Sequence, residues 1–173
     1  MKNYLRYKLT NDGISPRVFP GQKNALFDAN SDEHDEYGFS TEESSMRTKM
    51  MDKRFRKIQN LEKEVESPKI YGEKKAPLTF ISWGSTKGPI LEALRETDKK
   101  IRFVHFNFLY PFPKKNFLKA IKGSKKLIVL ENNKTGQLSS LIKENSGIET
   151  QKFLKYDGRP FWPEEIKEFI SKI

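Results

Sequence analysis

The residues of this chain best suited to chemistry lie in a short turn after an apolar segment. The sequence "GSTKG" occupies residues 84–88. Small residues in such a turn allow the backbone amides at a helix N-terminus to approach an anion, and Lys87 would add positive charge. The alternative is a tight turn between a strand and a helix, in which the hydroxyl of Ser85 or Thr86 caps the helix. The candidate cofactor-binding residues are therefore Gly84, Ser85 and Thr86, with both interpretations of the turn open.

Two further polar segments follow predicted strands. The run from Glu131 to Asn133 comes directly after one apolar segment, and Arg159 lies in the turn "DGRP" after another. In open α/β sheets ligands bind beyond the carboxyl ends of the strands, so these segments belong to the edge where a site would lie. The Arg159 guanidinium could hold a carboxylate or a phosphate. No set of nucleophile, base and orienting group can be assembled from these segments, so the sequence predicts a domain without its own active site.

The chain has two histidines, and neither is predicted to act as a base. His105 lies inside an apolar segment, where a buried and hydrogen-bonded histidine is the expected role. His34 lies in the acidic segment "SDEHDEYG" and could bind a metal together with Asp32 or Asp35. Consecutive polar residues cannot all converge on one ion, so we predict no metal site.

Composition excludes several classes of site. The 173-residue chain has no cysteine, which rules out disulfides, thiolate zinc sites, cysteine nucleophiles and any iron–sulfur cluster ligated by this chain. No apolar run approaches the roughly 20 residues that a membrane-spanning helix needs. The first residues carry no apolar signal segment. We therefore expect a cytoplasmic protein without a membrane partner.

The positive charge of the chain is confined to its second half. The net charge is +10, and it comes from residues 67–173, because residues 1–66 are neutral overall. A basic domain favours an anionic ligand, an acidic protein or nucleic acid. The alternative is a lysine-rich solvated surface, since the lysines are scattered rather than gathered on one helix. The basic and aromatic residues are not interleaved as in known nucleic-acid modules, so nucleic acid is the partner we expect least.

Strand-like and helix-like segments alternate through the second half of the chain. The strand-like segments are 78–83, 101–108, 125–132 and 150–156, and each precedes a segment with apolar residues at helical spacing. The first three are almost continuously apolar, which is typical of a parallel sheet covered on both faces. The sequence predicts an α/β domain over residues 67–173, with three layers built on an open, mostly parallel sheet.

Residues 1–66 are predicted to form an extension of another kind. Its first part, "YLRYKLTNDGISPRVFPG", is an extended segment with turn signals typical of a link between packed elements. An amphipathic helix follows the acidic segment, with large apolar residues at steps of three and four between positions 46 and 65. Ser40 and Glu43 would form a capping box at its start. Residues 65–77, which contain two prolines and a glycine, would form a linker.

Seven segments occur in an order that resembles one protein family. They are "YLRYKLTNDGISPRVFPG", "DEHDEYG", "MMDKRFRK", "WGSTKGPILEA", "YPFP", "ENNKTGQLSSL" and "KYDGRPFWPEEI". Together they resemble the C-terminal part of the α subunit of 2-oxoacid:ferredoxin oxidoreductases, most closely the 2-oxoglutarate type. The resemblance covers essentially the whole chain. It implies a transketolase C-terminal-like fold for residues 67–173, preceded by the tail of a thiamine-binding domain that the chain lacks.

The resemblance implies a function for a complex rather than for this chain alone. The complex would oxidatively decarboxylate a 2-oxoacid, in the first place 2-oxoglutarate, with coenzyme A, and reduce ferredoxin. Its thiamine diphosphate, Mg²⁺ and iron–sulfur cluster would belong to other domains or subunits, so this chain alone would be non-catalytic and would bind no cofactor. Its partners would be the β subunit and the N-terminal α portion. The residues expected to contact them are Arg17, Asp32, His34, Asp35 and Arg159.

Two other functions stay open at the level of sequence. The basic α/β domain, with its turn at Gly84, could act as a free-standing module that binds an anion or a nucleotide. Nucleic-acid binding rests on the net charge alone and is the weakest of the three hypotheses.

Overall fold

A computed structural model describes residues 4–173 of the chain. The chain forms two compact units, of which unit 1 ends at Glu64 and unit 2 extends from Val65 to Ile173. No helix of the described residues is long and apolar enough to cross a membrane. Unit 1 contains α1 (Ser44–Leu61). Unit 2 contains, in chain order, β1 (Lys69–Gly72), β2 (Leu78–Trp83), a 3-10 turn (Gly84–Thr86), α2 (Lys87–Arg95), β3 (Ile101–Phe106), α3 (Lys114–Ala120), β4 (Lys126–Glu131), α4 (Gln137–Ser146), β5 (Gln151–Leu154) and α5 (Pro163–Ser171).

The five strands of unit 2 form one sheet in the order β1-β3-β2-β4-β5. β2 pairs in parallel with β3 and β4, and β4 pairs in parallel with β5, whereas β1 runs antiparallel to β3. The predicted open, mostly parallel α/β sheet is therefore confirmed. From β2 the chain moves to β3 on one side and then returns to β4 on the other. The strand order thus reverses between β2 and β4, which makes this the topological switch point.

Two apolar cores, one on each face of the sheet, position the helices. On the first face, Ile90 of α2 and Ile166 of α5 share a core with Phe80 of β2. On the second face, Ile142 of α4 shares a core with Ile81 of β2, and α3 packs there as well. Successive residues of a strand point to opposite faces, so the adjacent Phe80 and Ile81 of β2 supply one core each.

Strand β1 lies in the segment that the sequence analysis assigned to a linker, so that prediction was wrong. Its residues Ile70 and Tyr71 lie opposite Val104 and Phe103 of β3. The Tyr71 ring stacks on the Phe103 ring with 5.7 Å between the centroids. A four-residue edge strand with one half-buried ring has no apolar run long enough to stand out in the sequence.

Unit 1 is held together by hydrogen bonds from side chains of α1 to the backbone of an extended segment. These bonds run from Lys53 to the Tyr7 carbonyl, from Arg56 to the Thr10 carbonyl and from Asn60 to the Asp12 carbonyl, over 2.6, 3.3 and 3.1 Å. Gly13 follows with φ +81°, and a Cβ there would lie 2.5 Å from the Lys53 carbonyl oxygen. Only glycine allows the backbone to come this close in a left-handed conformation.

Helix α1 differs from the sequence prediction at its start and on its apolar face. It begins at Ser44, and Glu43 at the N-cap makes no capping bond through its side chain, so the capping box predicted for Ser40 and Glu43 was wrong. The predicted apolar face is only partly covered, because Met50 is buried whereas Phe55 is 52% exposed. The buried residues of α1 are Met50 and Lys53. The lysine occupies an interior position because its ammonium donates to a backbone carbonyl of the extended segment.

Candidate functional site

A cleft of about 210 Å³ opens at the topological switch point, beyond the carboxyl ends of β2 and β4. The 3-10 turn after β2 forms one wall, and the loop after β4 with the start of α4 forms the other. The residues that line it are Trp83, Gly84, Ser85, Thr86, Glu131, Asn132, Asn133 and Gln137. The structure thus brings together the "GSTKG" turn and the polar run after β4, which the sequence placed in separate segments.

The turn after β2 is fastened to its own strand. The Thr86 hydroxyl lies 2.7 Å from the Ser82 hydroxyl and 2.8 Å from the Trp83 carbonyl oxygen. α2 begins one residue later, with Thr86 at its N-cap as predicted, but the Thr86 side chain makes no capping bond to the helix. The Lys87 ammonium lies 5.1 Å from the centre of the Tyr71 ring and does not line the cleft.

A buried carboxylate fills the start of α4 on the other wall. Glu131 is 1% exposed. Its carboxylate accepts hydrogen bonds from the backbone N–H of Leu138 at 2.8 Å and of Ser139 at 3.1 Å, and from the Asn133 amide at 2.8 Å. The first amides of a helix attract negative charge. Here the protein supplies that charge itself, so the start of α4 is already occupied by its own residue.

His105 lies behind the turn after β2 and is 5% exposed. Its Nε2 lies 3.3 Å from the Gly84 carbonyl oxygen. Its Nδ1 is buried and has no hydrogen-bond partner among residues 4–173, so the prediction of a fully hydrogen-bonded histidine was wrong for this atom. Burial lowers the pKa of His105 below its usual value, although the Gly84 carbonyl acts in the opposite direction. A neutral imidazole therefore supports the turn.

Arg159 lies in the loop after β5, close to the second wall of the cleft. Its guanidinium donates to the Asp157 carboxylate through Nε at 2.9 Å and Nη2 at 2.5 Å. These bonds lower the pKa of Asp157 and raise the pKa of Arg159. The Arg159 carbonyl accepts a hydrogen bond from the Asn132 side chain at 3.4 Å. The guanidinium thus already holds a carboxylate, which belongs to its own loop.

In unit 1, His34 and Asp35 shape the acidic loop. The Asp35 carboxylate oxygen Oδ1 accepts the backbone N–H groups of residues 37, 38 and 39 at 2.9, 3.0 and 3.1 Å. The His34 Nδ1 lies 2.9 Å from the Asp35 carbonyl oxygen, and its ring centre lies 3.9 Å from that of Tyr7. Within residues 4–173, no group of three or more His, Asp or Glu side chains is arranged to hold a metal ion.

The other two residues predicted to contact partners, Arg17 and Asp32, are both exposed. Between Asp32 and His34 lies Glu33, which the sequence analysis did not single out. Its carboxylate binds Arg54 at 2.6 Å and Arg47 at 3.1 Å. The hydrogen bond from Arg54 is the main reason why the pKa of Glu33 falls to about 2. In the sequence, the change from an acidic segment before α1 to basic residues within α1 was the signal that could have indicated these ion pairs.

Comparison with known sequences identifies the family. The profile of pyruvate:ferredoxin oxidoreductase core domain II matches residues 76–166. The chain belongs to this family. The match covers both walls of the cleft and most of unit 2.

Individual relatives extend the similarity of this family member to almost the whole chain. The chain is 38% identical to the 2-oxoacid:ferredoxin oxidoreductase subunit alpha of Saccharolobus solfataricus, over 97% of this chain and 27% of that protein. It is 37% identical to 2-oxoacid:ferredoxin oxidoreductase 2, subunit alpha, of Aeropyrum pernix, over 99% of this chain and 27% of that protein. A third relative is the 2-oxoglutarate oxidoreductase subunit KorA of Mycobacterium tuberculosis, which is 34% identical over 55% of this chain.

A solved structure shows the same arrangement of elements. It is the 2-oxoglutarate:ferredoxin oxidoreductase from Magnetococcus marinus with 2-oxoglutarate, coenzyme A and succinyl-CoA bound. The TM-score is 0.78 at 32% identity, and the alignment covers 98% of this chain and 30% of that chain. The present chain therefore aligns with between a quarter and a third of the length of the Saccharolobus solfataricus, Aeropyrum pernix and Magnetococcus marinus chains, and with 15% of KorA. It corresponds to part of a 2-oxoacid:ferredoxin oxidoreductase α subunit, which confirms the resemblance seen in the seven segments.

The side chains of this family member do not fit the redox and metal cofactors implied for the complex. The sequence contains no cysteine to ligate an iron–sulfur cluster. The one buried carboxylate of the cleft, Glu131, is held by the amides of α4 and is not turned toward a cation. No reaction step through thiamine diphosphate or a cluster is therefore assigned to these residues.

Proposed function

We propose that this chain is a non-catalytic structural portion of a 2-oxoacid:ferredoxin oxidoreductase α subunit, with unit 2 as its transketolase C-terminal-like domain. The observation that carries the proposal is the alignment of 97% of the chain with only 27% of an α subunit. The polar groups of the switch-point cleft support it, because Glu131 and the Thr86 hydroxyl are engaged in holding α4 and the turn. Such groups maintain a fold rather than activate a substrate.

The complex to which the chain would belong decarboxylates a 2-oxoacid with coenzyme A and passes the electrons to ferredoxin. 2-Oxoglutarate is the proposed substrate, because both KorA and the Magnetococcus marinus enzyme carry 2-oxoglutarate in their names. Thiamine diphosphate, Mg²⁺ and the iron–sulfur cluster would be held by the N-terminal α portion and the β subunit. The contacts proposed with those partners include Arg17, Asp32, His34, Asp35 and Arg159.

The test is affinity capture of the tagged chain from its native cells, followed by mass spectrometry and an activity assay. We expect a thiamine-binding α portion and a β subunit to be recovered with the chain. The recovered assembly should reduce ferredoxin when 2-oxoglutarate and coenzyme A are added, and the purified chain alone should not. Decarboxylation of 2-oxoglutarate by the chain alone would overturn the non-catalytic role, and recovery of neither subunit would overturn membership of the complex.

The cleft itself favours a second candidate function, which is binding of a small anion or nucleotide. It lies at the position where open α/β sheets bind ligands, and the exposed residues Gly84 and Ser85 line it. Calorimetry of the full chain with coenzyme A, ATP and inorganic phosphate at moderate salt tests this function. Binding that is lost in Gly84→Val would support it, and no heat from any of the three compounds would remove it.

A further inference from the structure

Five exposed aromatic side chains lie along the carboxyl edge of the unit 2 sheet. One ends β2, two lie in the loop after β3 and two in the loop after β5, and we call them the aromatic edge: Trp83, Phe108, Tyr110, Tyr156 and Trp162. Their exposed fractions range from 40% to 66%. The loops at the opposite edge carry no aromatic residue, and they comprise residues 73–77, 96–100, 121–125 and 147–150. The exposed rings of unit 2 are therefore gathered on one edge.

Four of these five side chains carry a polar group, and none of the four groups is hydrogen-bonded within the described residues. Within residues 4–173, the indole N–H groups of Trp83 and Trp162 and the hydroxyls of Tyr110 and Tyr156 have no hydrogen-bond partner, and none of the five rings packs on another aromatic ring. Large rings with free polar tips are enriched at protein interfaces, because they bury much apolar area and still satisfy a donor or acceptor. An edge made only for solvent would not need them.

The aromatic edge is continuous with the switch-point cleft. Trp83 lines the cleft together with Asn132, whose side chain donates to the Arg159 carbonyl at 3.4 Å. Between the same two loops, the Lys134 ammonium lies 5.9 Å from the centre of the Tyr156 ring. These contacts connect the end of β2 with the loop after β5. The cleft thus forms a concave site beside Trp83 of the aromatic edge, which suits the insertion of a partner side chain.

The charge of the edge favours a protein over nucleic acid. Both cations in the loop after β5 are paired, Arg159 with Asp157 and Lys155 with Glu165. Lys134, beside the Tyr156 ring, has no carboxylate partner among the described residues. A groove that follows a nucleic-acid backbone needs a line of unpaired cations. One unpaired lysine beside a set of exposed rings instead matches a protein surface with an apolar centre and some acidic residues.

We propose that the aromatic edge docks on the remainder of the 2-oxoacid:ferredoxin oxidoreductase α subunit, with Trp83 and the cleft at the centre of the contact. This inference rests on the proposed function. The α subunits of the relatives are more than three times longer than the part aligned here, so a large protein surface of the same subunit is there to be the partner. The edge buries its rings against that surface and engages their polar tips.

The experiment compares two double variants of the full chain in the capture assay. The edge variant is Tyr156→Ser with Trp162→Ser, and the control is Ile70→Ser with Leu118→Ser, which removes two exposed apolar side chains away from the edge. Circular dichroism melting first establishes that both variants are folded. We expect the edge variant to recover at least tenfold less thiamine-binding α portion than the wild type. The control should recover it at the wild-type level.

The outcomes separate this inference from the proposed function. If the wild type recovers the α portion and the edge variant recovers as much, the docking surface is wrong while the proposed function stands. If the wild type recovers no oxidoreductase subunit, both are wrong. Recovery of nucleic acid, or of a second copy of this chain, that is lost in the edge variant would assign the edge to another partner and overturn the proposal.

A direct readout comes from the two tryptophans of the chain, since both lie on the aromatic edge. Labelling this chain with 5-fluorotryptophan gives one ¹⁹F signal for each. In the free chain both signals should shift between H₂O and D₂O, because both rings are exposed. On addition of the purified α portion both solvent shifts should disappear. Complex formation with both solvent shifts unchanged would contradict docking through this edge.

Discussion

Replacing Glu131 by alanine is expected to destabilise unit 2 strongly. The carboxylate is 1% exposed and accepts the backbone N–H groups of Leu138 and Ser139 at 2.8 and 3.1 Å. In Glu131→Ala both N–H groups stay buried without an acceptor, and each such group costs about 1–3 kcal/mol. We therefore expect the free energy of unfolding to fall by about 4 kcal/mol. Glu131→Gln, whose amide oxygen can still accept one bond, should lose about 2 kcal/mol.

Urea unfolding followed by tryptophan fluorescence measures this loss in unit 2 alone, because the chain has two tryptophans and both belong to that unit. With a slope of about 1.5 kcal/mol per molar urea, the midpoint of Glu131→Ala should fall by about 2.5 M. The matched control is Glu144→Ala, an exposed glutamate on the same helix, whose stability should stay within about 0.5 kcal/mol of the wild type. A midpoint for Glu131→Ala equal to that of the control, at an unchanged slope, would refute the role of the carboxylate in holding α4.

Three further predictions concern unit 1 and the base of the sheet. Gly13→Ala should lower the free energy of unfolding of unit 1 by at least about 2 kcal/mol more than Gly21→Ala. Both glycines have positive φ, but only a Cβ at residue 13 meets a backbone atom, at 2.5 Å. Urea titration of the unit 1 amide NMR signals measures both losses, and equal losses would contradict this reasoning. Arg102→Lys should lower the free energy of unfolding, followed by tryptophan fluorescence, by about 2 kcal/mol or more. The reason is that the 4% exposed guanidinium donates to several carbonyls, which one ammonium cannot reach together. Arg95→Lys, at an exposed position, is the control and should leave the free energy of unfolding unchanged. The pKa of Glu33 is about 2 in the folded chain against 4.5 ordinarily, chiefly because of its hydrogen bond from Arg54. The contribution of this carboxylate to stability is therefore complete above pH 4.5 and is lost as the pH falls toward 2. Glu33→Gln should flatten the pH dependence of the free energy of unfolding of unit 1 between these pH values, and an unchanged dependence would exclude this ion pair as its source.

The parallel strands of unit 2 could be predicted from sequence because their burial on both faces leaves continuous apolar runs. β2, β3 and β4 each bury four or more residues, and these runs were recognised. The segment that forms β1 could not be recognised, because its burial depends on a single ring against β3 rather than on its own pattern. The position of the cleft could be predicted from topology, because the turn after β2 and the polar run after β4 lie at the carboxyl ends of two neighbouring parallel strands.

Helix α1 and Glu131 show where periodicity fails. The spacing of the large apolar residues placed Met50 and Phe55 on one face, but of these two only Met50 is buried. The other buried residue of α1 is Lys53, which donates to a backbone carbonyl 46 residues away. Nothing in the pattern of α1 indicates that partner. Similarly, Glu131 began a polar run at the end of the strand predicted for residues 125–132, and nothing in the sequence indicated that its side chain is buried. It is the last residue of a buried strand, and its burial makes sense only once α4 is folded over it.

The fastening of the extended segment to α1 has a consequence for how the two can diverge in sequence. Three side chains of the helix donate to carbonyl oxygens of that segment, so these bonds do not involve the side chains at the accepting positions. Every residue type carries a backbone carbonyl, so positions 7, 10 and 12 can accept many substitutions without losing these bonds. The donor positions 53, 56 and 60 are more restricted, because each needs a side chain whose N–H group reaches the carbonyl oxygen. These three bonds therefore constrain the side chains of the helix, whereas the side chains of the bound segment are constrained by other contacts, such as that of the Tyr7 ring with His34.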